Sequence, residues 1–181
     1  MTASGPLNRK TIALVGLMGV GKSSIGRRLA AALDMPFRDA DEEIEMAAGR
    51  TIPEIFAQFG EPFFRDGERR VIARLLDDPP HVLATGGGAF MDEETRRAIR
   101  EKAISVWLKG DLNILAGRVG RRDTRPLTSG KDPMAVLQAQ AQARYPHFAT
   151  ADIVVETGDT PHSVTVEAVI AALKARSKET A

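Results

Sequence analysis

Residues 16–23 read Gly-Leu-Met-Gly-Val-Gly-Lys-Ser, which matches the pattern G-x-x-x-x-G-K-S/T. The match follows the strand-like run Thr11–Val15 and precedes helix-like sequence at residues 24–33. Glycines let the backbone curl so that its N–H groups point inward, and the following helix adds its positive N-terminal end. The stretch therefore predicts a phosphate-binding loop between the first strand and the first helix of an α/β fold.

The alternation of strand and helix continues along the chain. Short runs rich in β-branched residues recur at residues 81–85, 104–108 and 153–155, and a shorter extended stretch covers residues 37–41, before helix-like sequence at 42–48. Each run is followed by a turn signal and by helix-like sequence. This order predicts an α/β fold of three layers, in which helices cover both faces of a central five-stranded parallel sheet.

Helix starts are marked by capping signals. Residues 51–54 have the spacing of a capping box, and the pairs Asp-Pro at 132–133 and Thr-Pro at 160–161 each offer an N-cap residue before a proline at the first helical position. The last helix is expected to run from about residue 161 to residue 174.

Length and composition limit the function classes. A chain of 181 residues suits one compact domain, expected at residues 11–174, between flexible ends at 1–10 and 175–181. The 25 Lys and Arg nearly balance the 24 Asp and Glu, so the net charge of +1 predicts no binding to nucleic acid or to a membrane surface. The absence of cysteine excludes disulfides and thiolate zinc sites and suits the cytoplasm.

The phosphate-binding loop predicts the nucleotide chemistry. Lys22 is expected to reach the β- and γ-phosphates of ATP, and the Ser23 hydroxyl to ligate Mg²⁺. Such loops serve switches, motors and kinases alike. The N-K-x-D and D-x-x-G segments typical of a GTPase switch do not occur in the sequence, which favours ATP and a small kinase.

Two further motifs follow predicted strands. Asp39 and Asp41 stand before a helix-like stretch, where they could serve Mg²⁺ and a hydroxyl acceptor, although acids in this position also cap helices. The three glycines at 86–88 expose backbone N–H groups to a ligand at close range, or they form a simple flexible turn.

These motifs, with Phe-Phe-Arg at 63–65 and Arg-Pro-Leu at 125–127, occur in the order and approximate spacing of shikimate kinases. The chain resembles that family from about residue 11 to residue 174. The resemblance implies a P-loop fold like that of nucleoside monophosphate kinases, with a substrate region at about 37–66 and a mobile lid at about 117–131. It also implies a monomer that transfers the γ-phosphoryl of MgATP to the 3-hydroxyl of shikimate, in aromatic amino-acid biosynthesis.

The resemblance also assigns roles by position. It implies Asp41 as the base and Asp39 as a water-mediated Mg²⁺ contact, and it places Lys22 and Arg125 at the transferring phosphate. The acceptor-binding residues that it implies are Asp41, Arg65, Gly86, Gly87, Gly88 and Arg144. The ATP-binding residues that it implies are Gly19, Val20, Gly21, Lys22, Ser23, Ser24, Arg118, Arg125 and Pro161.

Several residues keep a competing interpretation. Phe56 and Phe64 are similar to residues that line the family's substrate pocket, but core packing is an alternative for both. Phe148 departs from the family pattern, which commonly has Tyr there. The arginine-rich segment at residues 117–131 could be a solvated loop or a nucleic-acid patch. The near-neutral chain and the lack of an aromatic platform argue against a nucleic-acid patch. Trp107 and the three histidines are expected to be structural.

Two rival functions share the phosphate-binding loop. A small kinase acting on gluconate or on a nucleoside monophosphate would not need this set of acids, glycines and paired arginines. A nucleotide-binding regulator that has lost the chemistry is the other rival. The presence of Lys22, Ser23, Asp41 and Arg125 argues against it.

Overall fold

The computed structural model describes residues 9–121 and 132–180, and within these residues it has five strands, eight α-helices and a short 3-10 helix at Ala89–Met91. The strands are β1 (Thr11–Val15), β2 (Phe37–Asp39), β3 (Val82–Ala84), β4 (Ala103–Gly110) and β5 (Ile153–Thr157). The helices are α1 (Lys22–Leu33), α2 (Ala40–Ala48), α3 (Ile52–Phe59), α4 (Glu61–Leu76), α5 (Glu93–Lys102), α6 (Leu112–Arg121), α7 (Pro133–Phe148) and α8 (His162–Glu179). The predicted five-stranded sheet with flanking helices is confirmed.

The sheet has the strand order β2-β3-β1-β4-β5, and all neighbouring strands are parallel. Leu14 of β1 aligns with Ala84 of β3 and with Val106 of β4. Because the carboxyl ends of parallel strands lie at the same edge, the segments that follow β1, β2 and β3 are neighbours there. Those segments are the glycine-rich loop, the Asp39–Asp41 pair and the three glycines.

The core lies against the central strands. Every residue of β1 and β3 is buried, as is typical of strands covered by helices on both faces. Helix α1 packs against α8, and α4 packs against α5. Trp107 is 5% exposed, with its ring 5.6 Å from that of Phe148, so the prediction of a core role for Trp107 is confirmed.

Several helix ends differ from the sequence predictions. Helix α8 continues to Glu179, so residues 175–179, predicted as a flexible tail, form its last turns. Good helix formers and the cations Arg176 and Lys178, which interact favourably with the helix dipole, explain this extension. Helix α2 begins at Ala40 rather than at residue 42, which places Asp41 in its first turn.

Residues 117–121, predicted as the start of the lid loop, are instead helical. Helix α6 extends to Arg121 because Leu115 and Val119, one turn apart, are both buried against the core. Residues 122–131 lie outside the described residues.

The capping predictions hold in part. Thr51 and Glu54 form the expected capping box at α3, and Asp132 precedes Pro133 at the start of α7. Pro161, expected as the first helical residue of α8, is instead its N-cap, because its ψ of 146° is extended. Among the described residues, no helix is both long and apolar enough to cross a membrane.

Candidate active site

The loop after β1 wraps around the start of α1. Gly19 and Gly21 have φ values of 83° and 97°, a backbone region that residues with a β-carbon rarely adopt. Lys22 is buried in the first turn, and its Nζ donates hydrogen bonds to the carbonyl oxygens of Gly16 at 2.6 Å and Leu17 at 2.9 Å. The ammonium group of Lys22 therefore lies close to the curled backbone of the loop. A phosphate oxygen bound there can replace the carbonyl oxygens as its hydrogen-bond acceptor.

Ser23 and Asp39 meet beside this loop. The Ser23 hydroxyl donates to Asp39 Oδ2 at 2.5 Å, while Asp39 Oδ1 accepts from the backbone N–H of Asp41 at 2.9 Å and of Glu42 at 3.2 Å. Asp39 thus caps α2, as the competing interpretation proposed, and also lies next to Ser23. A hydroxyl and a carboxylate are oxygen donors that fit Mg²⁺.

Protein groups alone do not form a metal cage in the described part of the chain, where no group of three or more His, Cys, Asp or Glu side chains could hold an ion. Mg²⁺ in kinases commonly keeps water and substrate phosphates as ligands, with only one or two protein contacts. The Ser23 and Asp39 pair is compatible with that kind of site.

A cavity of about 340 Å³ opens in front of the loop. It is lined by Gly19, Gly21, Lys22, Ser23, Ser24, Asp39, Asp41, Thr85, Gly86, Gly87, Arg118, Val119 and His162. Its lining of loop glycines, one lysine and hydroxyl groups suits a nucleotide polyphosphate. We call it the nucleotide cavity.

A second cavity, of about 460 Å³, lies beyond it. Its lining consists of Met18, Asp41, Glu45, Thr51, Ile52, Pro53, Phe56, Phe64, Arg65, Glu68, Gly86, Gly87, Gly88 and Arg144. We call it the acceptor cavity. The two cavities share Asp41, Gly86 and Gly87, so a group bound in either one can approach the other at Asp41.

The three glycines are required by close contact with charged side chains. A β-carbon on Gly86 would lie 2.9 Å from Glu68 Oε2 and 3.2 Å from Asp41 Oδ1. One on Gly88 would lie 2.6 Å from an Arg65 guanidinium nitrogen. On Gly87 it would be 3.3 Å from a guanidinium nitrogen of Arg144. The glycines therefore leave the space that the charged groups of the acceptor cavity occupy.

Two guanidinium groups and one buried carboxyl face each other in the acceptor cavity. Arg65 donates from a terminal nitrogen to Glu68 Oε1 at 2.8 Å, and the Glu68 side chain is only 4% exposed. Burial raises the pKa of Glu68, and Arg65 partly offsets that rise. Burial, together with the nearby charge of Arg65, lowers the pKa of Arg144. The planar guanidinium groups have the geometry that suits a carboxylate ligand.

Known proteins are similar to this chain in sequence and in fold. A family model described as Shikimate kinase matches residues 18–174. The chain belongs to the shikimate kinase family. It is 69% identical over 169 residues to a shikimate kinase of Caulobacter vibrioides, covering 93% of this chain and 84% of that protein. It is 56% identical to one of Bradyrhizobium diazoefficiens, covering 93% and 82%.

Solved structures agree with the family. A shikimate kinase from Acinetobacter baumannii in complex with shikimate is similar, with a TM-score of 0.89 at 33% identity over 92% of this chain and 94% of that chain. A gluconokinase from Sinorhizobium meliloti has a TM-score of 0.64 at 22% identity over 96% of each chain, which shows a shared fold alone. This chain is accordingly an ATP-dependent kinase of the shikimate kinase family, and the resemblance seen in its motifs is confirmed.

Most residues that the family resemblance singled out line one of the two cavities. Two of the predicted ATP-binding residues do not. Val20 is 1% exposed, with its side chain in the core, and Pro161 lies on the surface immediately before His162. Arg118 lines the nucleotide cavity and donates to the Gly19 carbonyl oxygen at 3.2 Å. Arg125 lies outside the described residues.

Phe56 and Phe64 pack in or on the core and also line the acceptor cavity, so both interpretations of these residues hold. Phe64 is buried in the core, Phe56 packs on it with ring centroids 4.8 Å apart, and both line the acceptor cavity. Phe148 is fully buried against Phe90 and Trp107, where a hydroxyl group would need a buried partner. Its departure from the family pattern leaves Arg144, one helical turn earlier, in the acceptor cavity.

Sequence reasoning missed three charged or titratable residues that line the cavities, namely Glu45, Glu68 and His162. Glu68 stands three residues after Arg65, a spacing that places both side chains on one face of α4 and could have indicated the pair. His162 was expected to be structural, but it lines the nucleotide cavity. Its place just after Pro161, in the segment that the family resemblance associates with ATP, was the available signal.

Proposed function

We propose that this chain transfers the γ-phosphoryl group of MgATP to the 3-hydroxyl of shikimate, giving shikimate 3-phosphate and ADP. The observation that supports this most directly is the meeting of the two cavities at Asp41, with a pair of guanidiniums on the acceptor side. A phosphate bound at the glycine-rich loop and a hydroxyl bound beside Asp41 would face each other across that junction. No covalent enzyme intermediate is needed.

In the acceptor cavity, Arg65 and Arg144 would bind the shikimate carboxylate. Both side chains line the cavity, and burial lowers the pKa of Arg144 from its ordinary value, a cost that an incoming carboxylate would compensate. Backbone groups of Gly86, Gly87 and Gly88 would contact the ring. Asp41, which lines both cavities, would accept a hydrogen bond from the 3-hydroxyl and take its proton during transfer.

In the nucleotide cavity, the backbone N–H groups of residues 19–24 would bind the phosphates. Lys22 would leave the carbonyl oxygens of Gly16 and Leu17 for the β- and γ-phosphate oxygens. Ser23 and, through water, Asp39 would hold Mg²⁺. When bound, the ion neutralises phosphate charge and stabilises the charge that develops during transfer.

Arg118 and Arg125 are the proposed cations on the lid side. Arg118 would lie against the adenine, and Arg125 would approach the transferring phosphate and help to exclude water from it. The side chain of Arg118 already lines the nucleotide cavity. We also propose that the enzyme is a monomer that works in the cytoplasm, in the biosynthesis of aromatic amino acids.

A coupled ADP-release assay tests the acceptor. The chain is incubated with MgATP and, in separate reactions, with shikimate, gluconate or a nucleoside monophosphate. Shikimate alone is expected to stimulate ADP release, because only a rigid cyclic carboxylate places its acid at the guanidiniums and a hydroxyl at Asp41. Stimulation by gluconate or a nucleotide instead would overturn the proposed acceptor. Tight ATP binding with no stimulation by any acceptor would favour a regulator.

A further inference from the structure

His162 occupies a defined place beside the phosphate-binding loop. It is the first residue of the 18-residue helix α8 and is half-buried. A β-carbon on Gly21 would lie 3.2 Å from His162 Nε2 and 3.5 Å from its Cε1, so the imidazole ring packs directly against the backbone of the loop. The ring also lines the nucleotide cavity.

The position of His162 in the cavity indicates which part of ATP it would meet. The acceptor side is marked by Asp41, Gly86 and Gly87, which line both cavities. His162, Ser24 and Arg118 line the nucleotide cavity only. If the γ-phosphate is at Asp41, the rest of ATP must extend away from the acceptor cavity, toward the α1 start and these residues.

The surroundings of His162 favour an anionic or oxygen-rich ligand. Burial and the charges of Arg28, from α1, and Arg118, from α6, lower the pKa of the imidazole. The ring is then neutral at pH 7, with one nitrogen that donates and one that accepts a hydrogen bond. The donor nitrogen of the ring can add a hydrogen bond to a phosphate or ribose oxygen, beside the donors that the two guanidinium groups supply.

We infer that His162 is a nucleotide-binding residue, whose imidazole contacts the α-phosphate and ribose part of ATP. The inference rests on the proposed function for the direction in which ATP lies. It adds a contact from α8 to those of the glycine-rich loop, so that residues of α1, α6 and α8 would all contact the nucleotide. The loss of one neutral hydrogen bond is expected to weaken ATP binding roughly 2- to 10-fold.

The test compares His162→Ala and His162→Gln with the unmodified chain by calorimetric titration of ATP and by steady-state kinetics. His162→Ala should raise the Kd and KM for ATP roughly 2- to 10-fold, with little effect on the shikimate KM. His162→Gln, which keeps a donor, should recover part of the loss. The matched control is His147→Ala, a half-buried histidine in the last turn of α7 that lines neither cavity.

A second readout separates a contact from a structural role. Addition of ADP to the unmodified chain should shift the NMR resonances of the His162 imidazole and raise its pKa, because phosphate charge approaches the ring. Unchanged ATP affinity in both variants, or unchanged His162 resonances on ADP binding, would overturn the inference. Failure of the proposed function would look different: shikimate would not be phosphorylated, while the calorimetric effect of His162→Ala on ATP would still be measured.

Discussion

Asp41 is the residue on which the proposed chemistry depends most. It belongs to the first turn of α2, where Asp39 caps the helix and accepts a hydrogen bond from the Asp41 backbone. The cap fixes the start of the helix and therefore the direction from which the Asp41 side chain enters the site. Asp39 thus supports the site through the backbone, in addition to its proposed contact with Mg²⁺ through water.

Asp41→Asn should keep ATP binding and lose most turnover. The amide preserves the shape of the side chain but cannot take the hydroxyl proton, and the loss of a general base typically reduces the rate by about 10²- to 10⁴-fold. The measurements are kcat with shikimate and the calorimetric Kd for ATP. Near-normal kcat would contradict the role of Asp41 as the base.

Arg65→Ala should act mainly on acceptor binding. A charge-assisted contact is worth about 1.5–3 kcal/mol, which corresponds to a rise of roughly 10- to 100-fold in the shikimate KM. Arg70→Ala is the matched control, because Arg70 lies on the same helix, is 79% exposed and lines neither cavity. A shikimate KM that is the same in both variants would show that Arg65 does not bind the acceptor.

At the scale of elements, the contact between α4 and the loop after β3 forms one wall of the acceptor cavity. Arg65 and Glu68 project from one face of α4 toward Gly88 and Gly86. The sequence alone indicates a turn at the three glycines and the Phe-Phe-Arg motif at residues 63–65. It does not show that they touch, because the contact joins residues about twenty positions apart. Sequence analysis did not identify Glu68 as a site residue for this reason.

Gly88→Ala should disturb this wall. The added methyl group would lie 2.6 Å from an Arg65 nitrogen, so the guanidinium must move away. We expect a loss of about 1 kcal/mol in acceptor binding, or roughly a fivefold rise in the shikimate KM, with the ATP KM unchanged. Gly67→Ala on α4, whose β-carbon would contact nothing within 4 Å, is the control. Equal kinetics in the two variants would contradict the proposed packing.

The element boundaries show where local sequence was sufficient. The glycine-rich loop, β1 and the capping box at α3 were predicted correctly because each depends on neighbouring residues. The end of α6 was misplaced because Arg and Gly at residues 117–122 resemble a loop, whereas the burial of Leu115 and Val119 decides the helix. The end of α8 was misplaced because a polar tail of good helix formers resembles a frayed terminus.

At the scale of the whole molecule, the site lies at one edge of a sheet whose strands are parallel. That edge collects one segment each from β1, β2 and β3, although these segments are far apart in the chain. The residues in those segments were predicted from their motifs, and the fold explains why they meet. We propose that residues 11–174 work as one kinase unit around this edge.

The stability of the whole chain should report the buried carboxyl of Glu68. The pKa of Glu68 is raised in the folded chain, so the folded state binds its proton more tightly than the unfolded state. This group therefore stabilises the fold less as pH rises from about 4.3, the ordinary value for glutamic acid, through its raised pKa. In Glu68→Gln that loss is absent.

The two chains are compared by their free energies of unfolding, measured by urea denaturation. The difference between Glu68→Gln and the unmodified chain should grow in favour of the variant as the pH rises from about 4 to about 7. Glu61→Gln is the control, because Glu61 also faces Arg65 but its side chain is 51% exposed. A difference between Glu68→Gln and the unmodified chain that does not change with pH would mean that burial of Glu68 leaves its ionisation unaffected.

The central proposal is that Asp41, the two guanidiniums and the glycine-rich loop bring the 3-hydroxyl of shikimate to the γ-phosphate of ATP. The most direct test is ³¹P NMR of a reaction that contains the chain, MgATP and shikimate. A new phosphomonoester resonance, coupled to the proton at carbon 3 of the ring and growing in step with ADP, is the expected result. ADP accompanied only by inorganic phosphate, or a phosphoryl group on another ring hydroxyl, would contradict the proposal.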